Sequence, residues 1–392
     1  MRRGIRNLAV GLAAVFLLAG GGTRVGAEKV VSPADPFTLA DQCPPGFGLV
    51  EGGVCRLASL YDLYASKDDH GGLRVKLPDA RQGFTPQQID LGRHLFFDPI
   101  LSGGGDMSCS SCHDPDKGLS DGRATAMGHG GKPLSRRSPT LWNVGFLKSL
   151  FWDGRADSLE KQAEGPLLSP QEMNGDRAGI EAALNANRHY RRMFAQAFGD
   201  VGPIAFAQVA TALTAFQSTL ISLNSRYDRY AHGDQDAMTP MEIKGMNVFR
   251  GFVARCSQCH TPPLFTTGEL AVVGAPPTPG QPLDLGAGAV SDDPTLRGAF
   301  KVPTLRNITV SGPPYFHAGQ FTSLSDAARF YNDRRGHALP PGEHQTIHWH
   351  VHMQKAELGE ADVAAIVAFL GALEDETAKP QRPRLLPSKA AP

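Results

Sequence analysis

The segment Cys109-Ser110-Ser111-Cys112-His113 returns further along as Cys256-Ser257-Gln258-Cys259-His260, and few motifs constrain a chain as tightly as C-x-x-C-H. Two thiols three positions apart can bond the edge of a porphyrin, and the adjacent histidine then falls under the metal as its proximal ligand. The repetition therefore predicts two covalently bound c-type haems, held by Cys109, Cys112 and His113 and by Cys256, Cys259 and His260. A zinc ribbon fits poorly, because its Cys pairs stand roughly 15–20 residues apart. These motifs start 147 residues apart, and each carries its own His. A thioredoxin-like C-x-x-C needs a βαβ context that neither flank offers, and vicinal disulfide loops have no use for the His.

Composition removes other classes. With 39 basic and 39 acidic side chains in 392 residues the formal charge is zero, so no nucleic-acid footprint is present. The 44 Gly and 30 Pro make a loop-rich chain that is still globular in character. At about 150 residues per domain the length suggests two or three domains. Residues 1–27 read as a secretory signal: Arg2, Arg3 and Arg6 precede an apolar run from Leu8 to Ala19, followed by the small-residue site Val25-Gly26-Ala27. That run is short of the ~20 residues that span a bilayer. The mature chain is thus expected to start near Glu28 in the periplasm, with no membrane anchor. In that oxidising compartment Cys43 and Cys55 read as a structural disulfide pinning an N-terminal extension over 28–78.

The two haem motifs sit in a weak internal repeat. Thr85-Pro86-Gln87-Gln88 and Thr239-Pro240-Met241-Glu242 each show a capping Thr, Pro at the first helical position and Gln or Glu at the third. Each half closes with an apolar stripe at helical spacing: Val209, Leu213, Phe216, Leu220 and Leu223, then Val363, Ile366, Val367 and Leu370. Helix, haem motif, loop and closing helix is a cytochrome c layout. The fold class expected is all-α, two fused cytochrome c-like domains at 79–237 and 238–378. Gly274 to Gly288 reads as a loop, residues 379–392 with their four prolines as a flexible tail, and no β-strand alternation stands out.

Within that frame Leu95-Phe96-Phe97-Asp98-Pro99, Phe151-Trp152-Asp153-Gly154-Arg155, Phe300-Lys301-Val302-Pro303-Thr304-Leu305-Arg306-Asn307 and Tyr315-Phe316-His317 resemble the bacterial di-haem cytochrome c peroxidase and MauG superfamily, over roughly Thr85 to Leu373. The resemblance implies a peroxidatic first haem and an electron-transfer second one. It places Trp152 between the haems, makes Gln162 and Glu172 the distal-pocket pair, and makes Pro166 the pocket proline. Chemistry supports those roles separately: splitting peroxide needs a group that takes a proton from one oxygen and returns it to the other, which a buried carboxylate does. Gln162 can orient peroxide by hydrogen bonding but cannot shuttle a proton.

By the same resemblance the distal ligand of the second haem falls at Tyr331, where carrier-dependent peroxidases have a Met. A phenolate favours ferric or higher iron. That is the MauG arrangement, in which two oxidising equivalents form a high-valent di-haem state delivered to a partner protein. Met353 and the histidines at 344, 348, 350 and 352 stand as other ligands for that iron. His129 stands where carrier-dependent enzymes keep a distal His over the first haem; it either ligates that iron at rest or is a loop residue beside glycine. MauG's electron-exit Trp is replaced by Ala254, leaving Trp142 and Trp349 as other exits. The family's inter-haem calcium remains open: its Asn ligand position holds Arg137, leaving the carbonyls of Gly312 and Pro314. The run from His344 to His352 reads as a polar surface loop before it reads as a metal site.

The function expected is a periplasmic MauG-like di-haem peroxidase that uses hydrogen peroxide to oxidise a partner protein at Trp or another aromatic side chain. A cytochrome c peroxidase drawing electrons from a small cytochrome c or cupredoxin is the alternative within enzymes. A non-enzymatic di-haem electron-transfer protein is a third possibility, against which Glu172 and Gln162 argue.

Overall fold

The computed structural model describes residues 36–61, 77–200, 202–332, 339, 342–353, 356–377 and 379–390. The signal segment and part of the N-terminal extension lie outside them. Among the described residues the chain is mostly helical and rich in loops. Its helices are α1 (Pro86–Phe97), α2 (Cys109–Cys112), α3 (Leu159–Leu168), α4 (Arg177–Ala186), α5 (Arg188–Phe198), α6 (Phe206–Gln217), α7 (Arg226–Ala231), α8 (Pro240–Arg250), α9 (Ile308–Ser311), α10 (Leu324–Phe330) and α11 (Glu360–Gly371). Two small antiparallel sheets correct the strand-free expectation: β1 (Phe47–Val50) with β2 (Val54–Leu57), and β3 (Leu270–Val272) with β4 (Ala299–Lys301). Strands of three or four residues are too short to register as an alternating pattern. Cys43 and Cys55 are disulfide-bonded beside the first sheet.

Both capping boxes form. The Thr85 hydroxyl accepts from the Gln88 amide at 3.2 Å, while Gln88 accepts from the Thr85 amide at 3.1 Å. Thr239 and Glu242 repeat this at 3.3 and 2.8 Å. Each opening helix then crosses its closing helix at backbone contact. A Cβ added to Gly92 of α1 would lie 1.8 Å from the Ala212 carbonyl oxygen in α6, and one on Gly245 of α8 would lie 1.9 Å from that of Ala365 in α11. Only glycine permits so close an approach. Gly245→Ala is therefore expected to lower the denaturation midpoint by an overpacking cost of about 1–3 kcal/mol or more. Gly371→Ala on α11, where a Cβ meets nothing within 4 Å, should be neutral or slightly stabilising.

A second repeat links the halves. Pro139-Thr140-Leu141-Trp142-Asn143 matches Pro303-Thr304-Leu305-Arg306-Asn307, and both asparagines adopt left-handed backbone, with φ of 61° and 56°. Both side chains reach one buried residue: Asn143 donates to the Ser222 carbonyl at 3.1 Å and Asn307 to its hydroxyl at 2.8 Å. Each half keeps its own apolar core, yet residues from Phe37 onward form one compact unit.

Three expectations change. The first apolar stripe runs in sequence to Leu220 and Leu223, but α6 ends at Gln217 and those leucines are buried in the irregular segment that follows. Helix α7, assigned by sequence to the first domain, packs Tyr227 into the second core, with its amide bonded to the Ala372 carbonyl at 3.0 Å. The segment read as a flexible tail is docked on the first half. Arg382 pairs with Asp114 at 2.6 Å, Lys379 with Asp116, and the Ser388 amide donates to Asp98 at 3.1 Å. Its prolines remove helical periodicity without preventing docking, because side-chain charges and a buried Pro387 supply the attachment.

Candidate functional site

Two cavities open on either side of a shared wall. The first is lined by Cys109, Cys112 and His113, the second by Cys256, Cys259 and His260. None of these cysteines is disulfide-bonded, and burial pushes the thiols up, Cys109 and Cys256 to about 12 and Cys112 to about 11. His113 donates from Nδ1 to the Leu119 carbonyl at 3.0 Å. His260 Nδ1 lies 3.2 Å from the Phe265 carbonyl oxygen and 3.1 Å from that of Pro303. A histidine committed this way through Nδ1 keeps Nε2 bare, which is how metal-ligating histidines are held. Leu119 and Phe265 both take left-handed backbone, φ 57° and 54°, so strain is stored at matching turns of the two halves. Burial also keeps both imidazoles neutral, His260 down to about 4. The donor sets fit a haem in each cavity.

The first cavity carries the acid–base groups. Helix α3 is capped by Ser158, whose hydroxyl accepts from the Lys161 amide, and presents Gln162 and Pro166 four positions apart on one face. The Pro166 carbonyl accepts from the Met173 amide at 3.0 Å and the Leu167 carbonyl from Gly175 at 2.9 Å. These bonds hold the turn bearing Glu172 against the helix. Gln162, Pro166, Glu172 and Trp152 all line this cavity. Burial raises the Glu172 carboxyl above the ordinary range, opposed by the Arg155 guanidinium and a hydrogen bond from Ser169.

His129 is elsewhere. Met127 and Gly128 line the first cavity but His129 does not. Its amide donates to the carbonyls of Gln171 and Glu172 at 3.0 and 2.8 Å, so it braces the Glu172 turn, and its buried Nδ1 has no hydrogen-bond partner.

Tyr331, at the C-terminal end of α10, lines the second cavity, and so do His352 and Met353. His348 and His350 do not line it. Burial, with Cys256 and Cys259 close by, pushes the Tyr331 phenol far above its usual range, so it keeps its proton unless a metal displaces it. Trp142 lines this cavity with a buried indole N–H that has no partner. Trp349 packs its ring on Gly274 instead. Among the described residues no cluster of three or more His, Cys, Asp or Glu could hold a metal ion.

The shared wall contains Trp152, Arg137, Lys301 and Pro303, which line both cavities. Trp152 donates its indole N–H to the Arg137 carbonyl at 2.8 Å, and its own carbonyl accepts from Lys301 at 2.7 Å. His317 stacks on Phe300 at 3.8 Å and meets Trp152 edge-on at 6.4 Å. Lys301 escaped the sequence reading, and burial lowers its ammonium to about 8. The repeat signal was available: Lys301 and Arg137 each stand two residues before a Pro-Thr-Leu step. The carbonyls of Gly312 and Pro314, the positions left open for calcium by the sequence, accept hydrogen bonds from the Arg137 guanidinium. The residues present there do not fit a divalent ion, because a fixed positive charge already fills the oxygen cage.

Paired cavities with matched proximal histidines, one carrying a carboxylate and an amide, define the class of di-haem peroxidases. The family model for di-haem cytochrome c peroxidase matches residues 86–236. The methylamine utilization protein MauG of Methylorubrum extorquens is 38% identical over 85% of this chain and 93% of its own length. The cytochrome c551 peroxidase of Pseudomonas aeruginosa is 33% identical over 78% and 84%. Among solved structures, a MauG-like protein associated with microbial copper homeostasis matches with a TM-score of 0.71 at 29% identity, over 82% of this chain and 99% of that one. The di-haem peroxidase BthA of Burkholderia thailandensis matches with a TM-score of 0.65 at 26% identity, over 88% and 98%. The chain belongs to the di-haem cytochrome c peroxidase family and is a haem-dependent peroxidase.

Proposed function

We propose that this enzyme is a MauG-like peroxidase of the periplasm, holding two haems covalently through its C-x-x-C-H motifs and oxidising an aromatic side chain, Trp foremost, of a partner protein at the expense of hydrogen peroxide. The observation that carries this reading is Tyr331 in the lining of the second cavity. A hard phenolate oxygen stabilises oxidised iron and disfavours a stored reducing electron.

When bound, the haems supply the redox chemistry that cleaves peroxide and hold two oxidising equivalents. The Glu172 carboxylate would accept a proton from one peroxide oxygen and return it to the other. The Gln162 side-chain amide donates a hydrogen bond that orients the peroxide, and Pro166 shapes the wall beside it. Trp152, with its indole fixed on the Arg137 carbonyl, conducts electrons between the two cavities.

Met353, in the lining of the same cavity, favours a second reading, a peroxidase fed by a small cytochrome c or cupredoxin, since a thioether ligand raises the potential of haem iron. Resonance Raman and EPR spectra of single variants separate the two. Tyr331→Phe is expected to abolish a phenolate-to-iron signature and raise the second haem's potential, while Met353→Leu leaves both unchanged. No phenolate signature in the wild type, with a potential that falls in Met353→Leu and is unchanged in Tyr331→Phe, transfers the assignment to the carrier-dependent enzyme.

A further inference from the structure

Two neighbouring arginines, Arg136 in the lining of the first cavity and Arg137 in the wall shared by both, are neutralised differently. Arg136 is paired with carboxylates, Asp153 at 2.7 Å and Asp284 at 2.7 Å. Among the described residues the Arg137 guanidinium hydrogen-bonds only to main-chain oxygens: Ser311 at 2.7 Å, Gly312 at 2.9 Å, Arg123 at 3.3 Å and Pro314. Asp121 acts on it only through its charge. Arg137 is buried at 6% exposure, and converging carbonyl oxygens around a buried positive charge are the donor set of a hard cation. A guanidinium stays charged there, since it is not deprotonated in proteins.

The backbone of the same residue reaches the aromatic groups of the wall. The Arg137 amide donates to the His317 carbonyl at 2.7 Å, and its carbonyl accepts the Trp152 indole N–H at 2.8 Å. One residue therefore fixes the 311–314 segment, the backbone of His317 and the orientation of Trp152. A divalent ion brought to these carbonyls would meet the guanidinium at contact distance, where like charges repel strongly.

We propose that Arg137 is the built-in cation of the wall between the haems: its guanidinium takes the carbonyl cage of Ser311, Gly312 and Pro314, so that the haem pair works without calcium, and anchors the main chain that holds Trp152 and His317. The proposal is independent of which partner the enzyme oxidises. Metal analysis of the purified holoprotein, with potentiometric titration and electronic spectra in EGTA and in millimolar calcium chloride, tests it. The wild type should carry no stoichiometric calcium, with potentials and spectra unchanged by either treatment. One tightly bound calcium per chain, or a chelator-induced shift of either haem, overturns the proposal even if no variant can be made. In Arg137→Gln holoprotein both haem potentials should shift and the spectrum should respond to added calcium. Unaltered potentials in that variant overturn the role of the guanidinium as the cation between the haems.

Discussion

Replacing Glu172 by Gln is expected to slow the reaction of the oxidised enzyme with hydrogen peroxide by about 10²–10⁴-fold, measured by stopped-flow absorbance under pseudo-first-order conditions. Gln keeps the size and hydrogen bonding of the side chain but cannot carry a proton between the two peroxide oxygens. The pH dependence has a defined sign. Burial raises the Glu172 carboxyl above its ordinary range, and the base works only when deprotonated. The rate should fall as pH drops through that raised value, with an acid limb above the ~4.3 of an unperturbed glutamate. Glu172→Gln should lose this limb, and a variant that reacts as fast as wild type would discard the assigned base.

The largest stability effect is expected at Asp228. Its carboxylate is fully buried and bonded to Arg306 Nη1 at 2.8 Å and Nη2 at 2.6 Å, and it also accepts from the Tyr61 hydroxyl and from Ser225. Asp228→Asn leaves the Arg306 guanidinium, which is itself fully buried, without a counter-charge. The expected cost is about 3–5 kcal/mol, seen as a fall in the denaturant midpoint of the holoprotein. A double variant, Asp228→Leu with Arg306→Met, should recover much of that loss, because removing both charges leaves no buried ion. Burial alone would raise the Asp228 carboxyl, but Arg306 and the hydrogen bonds hold it below the ordinary range. A depressed folded value means the stabilisation is present above the unfolded value, ~3.9, and is lost as pH falls through the lower folded value. The contribution of this ion pair to stability should therefore hold above about pH 4, decline below it and be gone once pH has passed the lower folded value.

How far the sequence spoke for the fold differs from element to element. The haem motifs and capping boxes were legible because their geometry is local: five residues define a C-x-x-C-H, and four define a capping box. Gln162, Pro166 and Glu172 were assigned through resemblance, and the structure brings them into one cavity because Pro166 and Glu172 sit on a helix and a turn tied by short-range backbone bonds. Where contacts are tertiary, the reading failed. Nothing local distinguishes a docked proline-rich tail from a free one, since the Arg382–Asp114 pair joins residues far apart in the chain. His129, open in the sequence between haem ligand and loop residue, braces the Glu172 turn through its amide and does not line the first cavity. The Pro-Thr-Leu-x-Asn repeat was visible and went unread. It would have singled out Lys301 as the partner of Arg137 in the wall, and Asn143 and Asn307 as the residues that key both halves to Ser222.

The central claim, that the enzyme accumulates oxidising equivalents from peroxide for use on a partner protein, is tested most directly by adding one equivalent of hydrogen peroxide to the fully oxidised, never-reduced holoprotein and titrating the product with a reductant. The account predicts complete peroxide consumption and recovery of two oxidising equivalents, stored long enough to be counted. A protein that leaves the peroxide unreacted until one haem has first been reduced would contradict it and would place the chain with the carrier-dependent peroxidases.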